Sequence, residues 1–191
     1  MKYFLYSLII SLLCCCTSKE IPKPYGYYRI TFPEKSYRNS NDSTLPYRFQ
    51  MASEAFIEPD RTPGAEDYWI NIVYPAYQAK INLSYKSITS DTTLLRLEQD
   101  CHRLAYAHTL KAESIDEHYY QQNDKKGFGL LYIIEGNAAS PVQFFITDST
   151  RHFLRGSLYI ATRPNKDSLA PVIDYLREDI VHLIETTEFP N

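Results

Sequence analysis

Apolar and polar residues alternate along the segment AKINLSYK, residues 79–86, with the period of a β-strand that has one solvated face. Other short segments are rich in aromatic and β-branched residues, and these also predict strands. They are GYYRITF (26–32), PYRFQMA (46–52), YWINIVYP (68–75), GFGLLYIIEG (127–136), PVQFFITD (141–148) and FLRGSLYIAT (153–162).

Two segments repeat apolar residues at steps of three and four, which predicts amphipathic helices. The first extends from Asp91 to about Leu110, with Ser90 or Asp91 as its N-cap. Its predicted apolar stripe is Leu94, Leu97, Cys101, Leu104 and His108. The second closes the chain, with Asp167 or Ser168 as its cap and Pro171 in its first turn. Its stripe is Leu169, Val172, Ile173, Leu176, Ile180, Leu183 and Ile184.

The order of these elements is several strands, a helix, three strands and a helix, which is typical of an α+β domain. We therefore expect a single domain with a mainly antiparallel sheet of six to seven strands, covered by the two helices. The polar segments Ser36–Thr44 and Glu58–Asp67 are predicted to be loops, because they are rich in turn-forming residues.

The first residues have the character of an export signal. Residues 3–16 are mostly apolar, follow the single basic residue Lys2 and are too few to span a bilayer as a helix. They end in LLCCC, residues 12–16, which resembles the bacterial lipobox Leu-x-x-Cys. This pattern predicts a lipoprotein signal peptide at 1–15, a lipidated tether at 16–26 with prolines that favour extended structure, and the folded domain at 27–191.

Spacing decides which cysteine receives the lipid. Cys16 has Leu13 three positions before it, with only small cysteines between, so Cys16 is the predicted lipid attachment site and Cys15 the alternative. Palmitate labelling is expected there, and a diacylglycerol supplies the two chains that stable membrane anchoring needs. The remaining cysteine, Cys101, lies on the apolar stripe of the first helix, where a buried, unreactive thiol is expected.

Composition excludes some classes of function. The chain has a net charge of −3 and a pI of about 6.0, without the basic clusters of a nucleic-acid-binding protein. It has 17 tyrosines, which favour sheets and protein-interaction surfaces. Metal-binding and nucleotide-binding motifs are absent from the sequence, so we expect no cofactor and no metal site. From the charge we expect no nucleic-acid partner. We also expect no small-molecule substrate.

The polar residues most suited to chemistry lie between residues 135 and 156, in a predicted hairpin. They are Asn137, Ser140, Asp148, His152 and Arg155. Ser140, Asp148 and His152 have the residue types of a hydrolase triad, but the Gly-x-Ser-x-Gly signature is absent and a turn accounts for Asp148 equally well. The prediction is an interaction hairpin in a protein that is not an enzyme, with an envelope hydrolase or small-ligand-binding protein as the alternative.

Several segments resemble the gliding-motility lipoprotein family GldD of Bacteroidota. They are IPKPYGYYRITFPEKSY, YWINIVYPAYQAKINLSYK, AYAHTLKAESI and, most specifically, EGNAASPVQFFITDSTRHFLRGSLY. The resemblance implies an envelope lipoprotein required for gliding and for the associated type IX secretion machinery, with proteins of that machinery as partners. It implies no catalytic residue, and only the lipid-bearing cysteine transfers, onto Cys16.

Two further expectations follow from the resemblance. Asp-Ser/Thr-x sequences look like acceptors of periplasmic O-glycosylation in that phylum, and Ser43, in a polar loop, is the one expected to be modified. The lipid anchor implies a protein that faces the periplasm. Thr17 and the single Glu20 after the cysteine leave the choice between inner and outer membrane open.

Overall fold

A computed structural model describes residues 30–40, 42–107, 109–121, 127–162 and 165–190. Within these ranges the chain forms nine strands and two α-helices, so the predicted α+β class is confirmed. The strands are β1 Tyr37–Asn39, β2 Gln50–Ala52, β3 Phe56–Pro59, β4 Ile70–Tyr74, β5 Ala79–Ser87, β6 Ala112–Gln121, β7 Phe128–Gly136, β8 Val142–Thr147 and β9 His152–Ile160. The helices are α1 Asp91–Tyr106 and α2 Lys166–Thr186, and a short 3₁₀ turn lies at Pro75–Tyr77.

Seven of the strands form one antiparallel sheet in the order β3-β4-β5-β9-β8-β7-β6. This confirms the predicted antiparallel sheet of six to seven strands. Strands β1 and β2 form a separate two-stranded sheet, with Tyr37 opposite Ala52. Strand β1 lies inside the segment that was predicted to be a loop, because pairing with β2 supplies its backbone with partners that local sequence does not show.

The two helices cover opposite faces of the large sheet. Successive residues of the interior strand β8 belong to different hydrophobic clusters: Phe144 packs with the residues around α2, and Phe145 with those around α1. Because a strand points alternate side chains to opposite faces, the helices lie on opposite sides of β8. All six residues of β8 are buried for this reason.

Helix α1 begins as predicted but ends earlier. The Ser90 hydroxyl accepts the backbone N–H of Thr93 at 3.2 Å, which confirms the N-cap. The helix ends at Tyr106, and the predicted stripe is wrong at Leu104, which is 40% exposed, while Ala105 is fully buried. Four residues separate Ala105 from Cys101, so it continues the buried face, and its small side chain lets the helix approach the sheet. His108 lies outside the described residues.

Helix α2 begins earlier than predicted. Its N-cap is Asn165, whose side-chain oxygen accepts the Ser168 N–H at 3.4 Å, and neither Asp167 nor Ser168 has this role. Pro171 consequently lies inside the helix rather than in its first turn. Five members of the predicted stripe are buried, and Leu169 and Ile173 are half-buried.

Besides β1, three strand assignments differ from the sequence-based expectation. Strands β3 and β6 were not predicted, and residues 30–32 of the predicted first strand are not in a strand. In β6 the carboxylates of Glu113, Asp116 and Glu117 interrupt the alternation of apolar and polar residues, so its pairing with β7 is not visible locally.

Candidate functional site

Asp148 organises the turn between β8 and β9. Its Oδ1 atom accepts the backbone N–H groups of Thr150, Arg151 and His152 at 3.0, 2.8 and 2.8 Å. Burial alone would raise the pKa of Asp148, but these amide hydrogen bonds outweigh burial and lower the pKa below its usual value. The carboxylate therefore stabilises the turn as an ionised acceptor.

His152 is held by its neighbours at the start of β9. Its Nδ1 atom lies 2.7 Å from the Tyr85 hydroxyl, and its ring stacks on Phe189 with centroids 5.2 Å apart. Its Nε2 atom is 4.0 Å from Asp148 Oδ2. Burial lowers the pKa of His152, and this effect outweighs the attraction of Asp148. The side chain thus belongs to a packed aromatic group.

Ser140 lies far from these two residues. It precedes β8, whereas Asp148 follows it, and a strand rises by about 3.3 Å per residue, so roughly 25 Å of chain separates them. Ser140 is fully buried, and its hydroxyl donates to the Val142 carbonyl at 3.5 Å. The structure therefore does not bring Ser140, Asp148 and His152 together as a triad.

The other two hairpin residues lie in different places. Asn137 is in the β7–β8 loop, where its N–H donates to the Lys111 carbonyl at 3.1 Å. Arg155 is within β9 and donates to the Gln143 side-chain oxygen at 2.9 Å. Asn137 and Ser140 thus share one end of β8, Asp148 and His152 the other, and Arg155 lies between them.

Cys101 is buried in α1, with 4% of its surface exposed. Burial raises the pKa of its thiol to about 12, although the nearby Arg155 guanidinium opposes that shift. A thiol with this pKa is protonated at neutral pH and is a poor nucleophile.

An ion pair between a half-buried lysine and a buried carboxylate, which the sequence did not predict, joins residues 30–36 to α2. We call residues 30–36 the N-terminal strap. Lys35 Nζ lies 2.7 Å from Asp179 Oδ1, and Asp179 is only 2% exposed. The same ammonium donates to the Tyr175 carbonyl at 2.6 Å and sits 3.2 Å from the centre of the Tyr175 ring. The Tyr37 hydroxyl also donates to Asp179 Oδ1, at 3.2 Å. We call these four residues the strap anchor.

Aromatic packing and electrostatics reinforce the strap anchor. The ring of Phe32, in the strap, stacks on Tyr175 with centroids 4.5 Å apart. Burial and the Asp179 carboxylate raise the pKa of Tyr37 to about 12, and they also raise the pKa of Tyr74. The tyrosines therefore stay protonated around the single buried carboxylate.

One signal in the sequence points to this site. Asp179 lies three residues after Leu176 and four before Leu183, so helical spacing places a carboxylate on the apolar stripe. A buried carboxylate needs a cation or hydrogen-bond donors. Its partner Lys35 is 144 residues away along the chain, which is why the pair could not be identified beforehand.

Of the predicted modification sites, the structure describes Ser43 but not Cys16 or Cys15. Cys16 and its alternative Cys15 lie outside the described residues. Ser43 is exposed in a turn, where the neighbouring Asp42 carboxylate accepts the Thr44 N–H at 2.9 Å.

Within the described ranges, no three or more His, Cys, Asp or Glu residues are grouped to hold a metal ion. In the same ranges, neither helix has the length and apolar character of a membrane span.

Comparisons with known proteins identify a family and a distant structural similarity. No curated protein sequence matches this chain. The solution structure of cyanobacterial PsbP from Synechocystis sp. PCC 6803 matches with a TM-score of 0.49 and 11% identity, over 87% of this chain and 99% of that one. The family model of the gliding motility lipoprotein GldD matches residues 17–189, which is nearly the whole chain. The chain belongs to the GldD family of gliding motility lipoproteins.

Proposed function

We propose that the chain is a periplasm-facing envelope lipoprotein that supports gliding and the associated type IX secretion as a noncatalytic assembly or stabilising factor. The observation that carries this proposal is the family match over residues 17–189. Signal peptide 1–15, lipid on Cys16, tether 16–26 and folded domain 27–191 are parts of the same proposal. The matched region begins directly after the proposed lipid-bearing cysteine.

The strap anchor supports the role proposed for the tether. Thirteen residues separate Cys16 from the first described residue, Ile30, and a fully extended chain of that length reaches about 45 Å at most. The strap then binds α2 through Lys35 and Asp179. A lipid on Cys16 would therefore hold the domain within a few nanometres of the membrane, with the anchored face turned towards the tether.

The bonding of the hairpin residues supports a noncatalytic role. Asp148 is occupied by three backbone amides, His152 by Tyr85 and Phe189, and Ser140 is distant from both. Nucleophilic catalysis needs a nucleophile within hydrogen-bond reach of its base. This bonding is consistent with a domain that acts through contacts with other proteins.

Cells that carry Asp148→Asn together with His152→Ala test the noncatalytic role. The Asn side chain still offers an oxygen to the turn amides, so the folded protein should accumulate. We expect gliding and type IX secretion to remain at wild-type levels, whereas deletion of the whole chain should abolish both. If the double variant is folded and membrane-bound but secretion is lost, the hydrolase or ligand-binding alternative replaces this proposal.

We further propose O-glycosylation at Ser43. Its exposure in the Asp42–Thr44 turn leaves the hydroxyl accessible to a transferase. Intact mass of the native protein should exceed the lipidated mass by a glycan, and Ser43→Ala should remove that excess. A native mass equal to polypeptide plus lipid would contradict the modification.

A further inference from the structure

Strand β6, residues Ala112–Gln121, is one edge of the seven-stranded sheet. It pairs with β7, and no other strand in the described part of the chain pairs with its outer side. None of its ten residues is buried. Half of the backbone N–H and C=O groups of such an edge face outwards, and they form a template for an added strand.

The two edge strands of the sheet, β3 and β6, differ in the features that prevent pairing with a further strand. Edge strand β3 has four residues and ends at Pro59, and both features discourage further pairing. Strand β6 contains neither proline nor lysine, and its pairing with β7 is regular from Ser114 to Gln121. It is also the longest strand in the described ranges. The feature of β6 that limits its pairing with other chains is the negative charge of its side chains.

That charge selects among partners. Strand β6 carries three carboxylates, on Glu113, Asp116 and Glu117, and no lysine or arginine. Antiparallel pairing of two copies about Asp116 or Glu117 would place carboxylates opposite one another, which destabilises a sheet. A strand with Lys or Arg opposite them would gain favourable cross-strand pairs. The edge therefore suits a basic strand of another protein better than a second copy of this chain.

Aromatic side chains lie beside these carboxylates. The Tyr106 hydroxyl, on α1, donates to Glu117 Oε1 at 3.1 Å, and the His102 ring stacks on Tyr106 with centroids 4.1 Å apart. Tyr119 points to the same face of the sheet as Glu117 and is 74% exposed. A carboxylate beside exposed tyrosine rings binds a cationic side chain through an ion pair and a cation–π contact. We call these four residues the β6 patch.

We propose that β6 is a docking edge for an extended, lysine- or arginine-rich strand of a partner protein. The partner backbone pairs along the outer side of β6, and its basic side chains contact Glu117, Tyr106 and Tyr119. Basic residues at every second position reach the same face, because side chains alternate along a strand. The inference rests on the proposed function in which the chain acts through protein contacts, and it names the chemistry of one partner.

A peptide probe tests the docking edge on the full chain. The probe has lysine at alternate positions, with valine and threonine between, and its matched control has glutamate in place of lysine. We expect the lysine peptide to bind and to slow hydrogen exchange at the β6 amides, and the glutamate peptide to do neither. The variant Asp116→Lys with Glu117→Lys should weaken binding by roughly tenfold or more. Its control is Glu58→Lys with Asp60→Lys at the β3 edge, which should bind as wild type does.

Three results would overturn the docking edge. The first is equal binding by wild type and the Asp116→Lys, Glu117→Lys variant. The second is peptide binding without protection of β6. The third is protection of the outward β6 amides before any peptide is added: if it grows with protein concentration a second copy occupies the edge, and if it does not a segment of this chain occupies it.

Experiments in cells separate this inference from the proposed function. The Asp116→Lys, Glu117→Lys variant should reach the membrane but lose gliding. Normal gliding in that variant, with gliding lost on deletion of the chain, would overturn the docking edge and leave the proposed function standing. Normal gliding in the deletion strain would contradict the proposed function. The peptide experiment would then be the remaining test of whether β6 is a docking edge.

Discussion

Four polar residues of this domain hold its turns, helices and N-terminal strap in place. Asp148 accepts three turn amides, Ser90 and Asn165 cap the helices, and the buried Asp179 carboxylate binds Lys35. The sequence indicated a turn role for Asp148, because the backbone donors that it binds are its immediate neighbours. It did not identify the strap anchor, because Lys35 and Asp179 meet only after the whole sheet has formed.

The strap anchor should contribute measurably to stability. In Lys35→Met the Asp179 carboxylate remains buried without its cation, so we expect the free energy of unfolding in urea to fall by about 3 kcal/mol. The matched control is Arg103→Met, which removes an exposed pair with Asp100 and should cost less than about 0.5 kcal/mol. A loss no larger than that of the control would show that the ion pair does not hold the strap.

His152 should make stability depend on pH. Its pKa in the folded protein is below the ordinary value of 6.5, so the unfolded chain takes up a proton first as the solution is acidified. The contribution of His152 is fully present above pH 6.5 and is lost as the pH falls through that value towards the lower folded pKa.

The variant His152→Gln can still contact Tyr85 but does not titrate. Thermal unfolding across this pH range should therefore show a shallower decline for His152→Gln than for wild type. Parallel declines in wild type and His152→Gln would contradict a contribution of His152 to the pH dependence of stability.

At the scale of elements, the reliable signals were those with strong periodicity. Strand β5 and the buried face of α2 follow their apolar patterns closely, because one face of each packs against the same core. Strands β1, β3 and β6 were missed, since the first two are short and the third is acidic. Their positions depend on cross-strand pairing, which local sequence encodes weakly.

The pairing of β8 with β9 depends on one glycine. Phe144 lies directly opposite Gly156, and a Cβ atom on that glycine would come within 2.0 Å of the Phe144 ring. Phe144 is itself buried, so its ring has little room to move. We expect Gly156→Ala to lower the free energy of unfolding by about 2 kcal/mol or more.

A double variant checks the cause of that loss. Phe144→Leu shortens the opposing side chain, so Gly156→Ala should cost less in its presence than in wild type. Urea unfolding of the four proteins in this cycle measures the difference. Strictly additive losses would mean that the Phe144 ring is not what excludes a side chain at position 156.

At the scale of the whole molecule, the α+β class, the antiparallel sheet and the two covering helices could be predicted from the sequence. The disposition of the helices on opposite faces could not, because periodicity shows that a helix has an apolar face but not which side of the sheet receives it. Family membership came from specific segments, and the domain match over residues 17–189 confirms it. The structure then shows how a lipoprotein of this family packs its N-terminal strap against its last helix.

The proposed lipid anchor on Cys16 would join the folded domain to its proposed place of action, and replacing that cysteine tests it most directly. Fractionation and palmitate labelling should be compared between Cys16→Ala and the neighbouring control Cys15→Ala in the native cells. We predict that Cys16→Ala loses both the label and the membrane association, while Cys15→Ala keeps both. A Cys16→Ala protein that remains membrane-bound with unchanged palmitate labelling would contradict this.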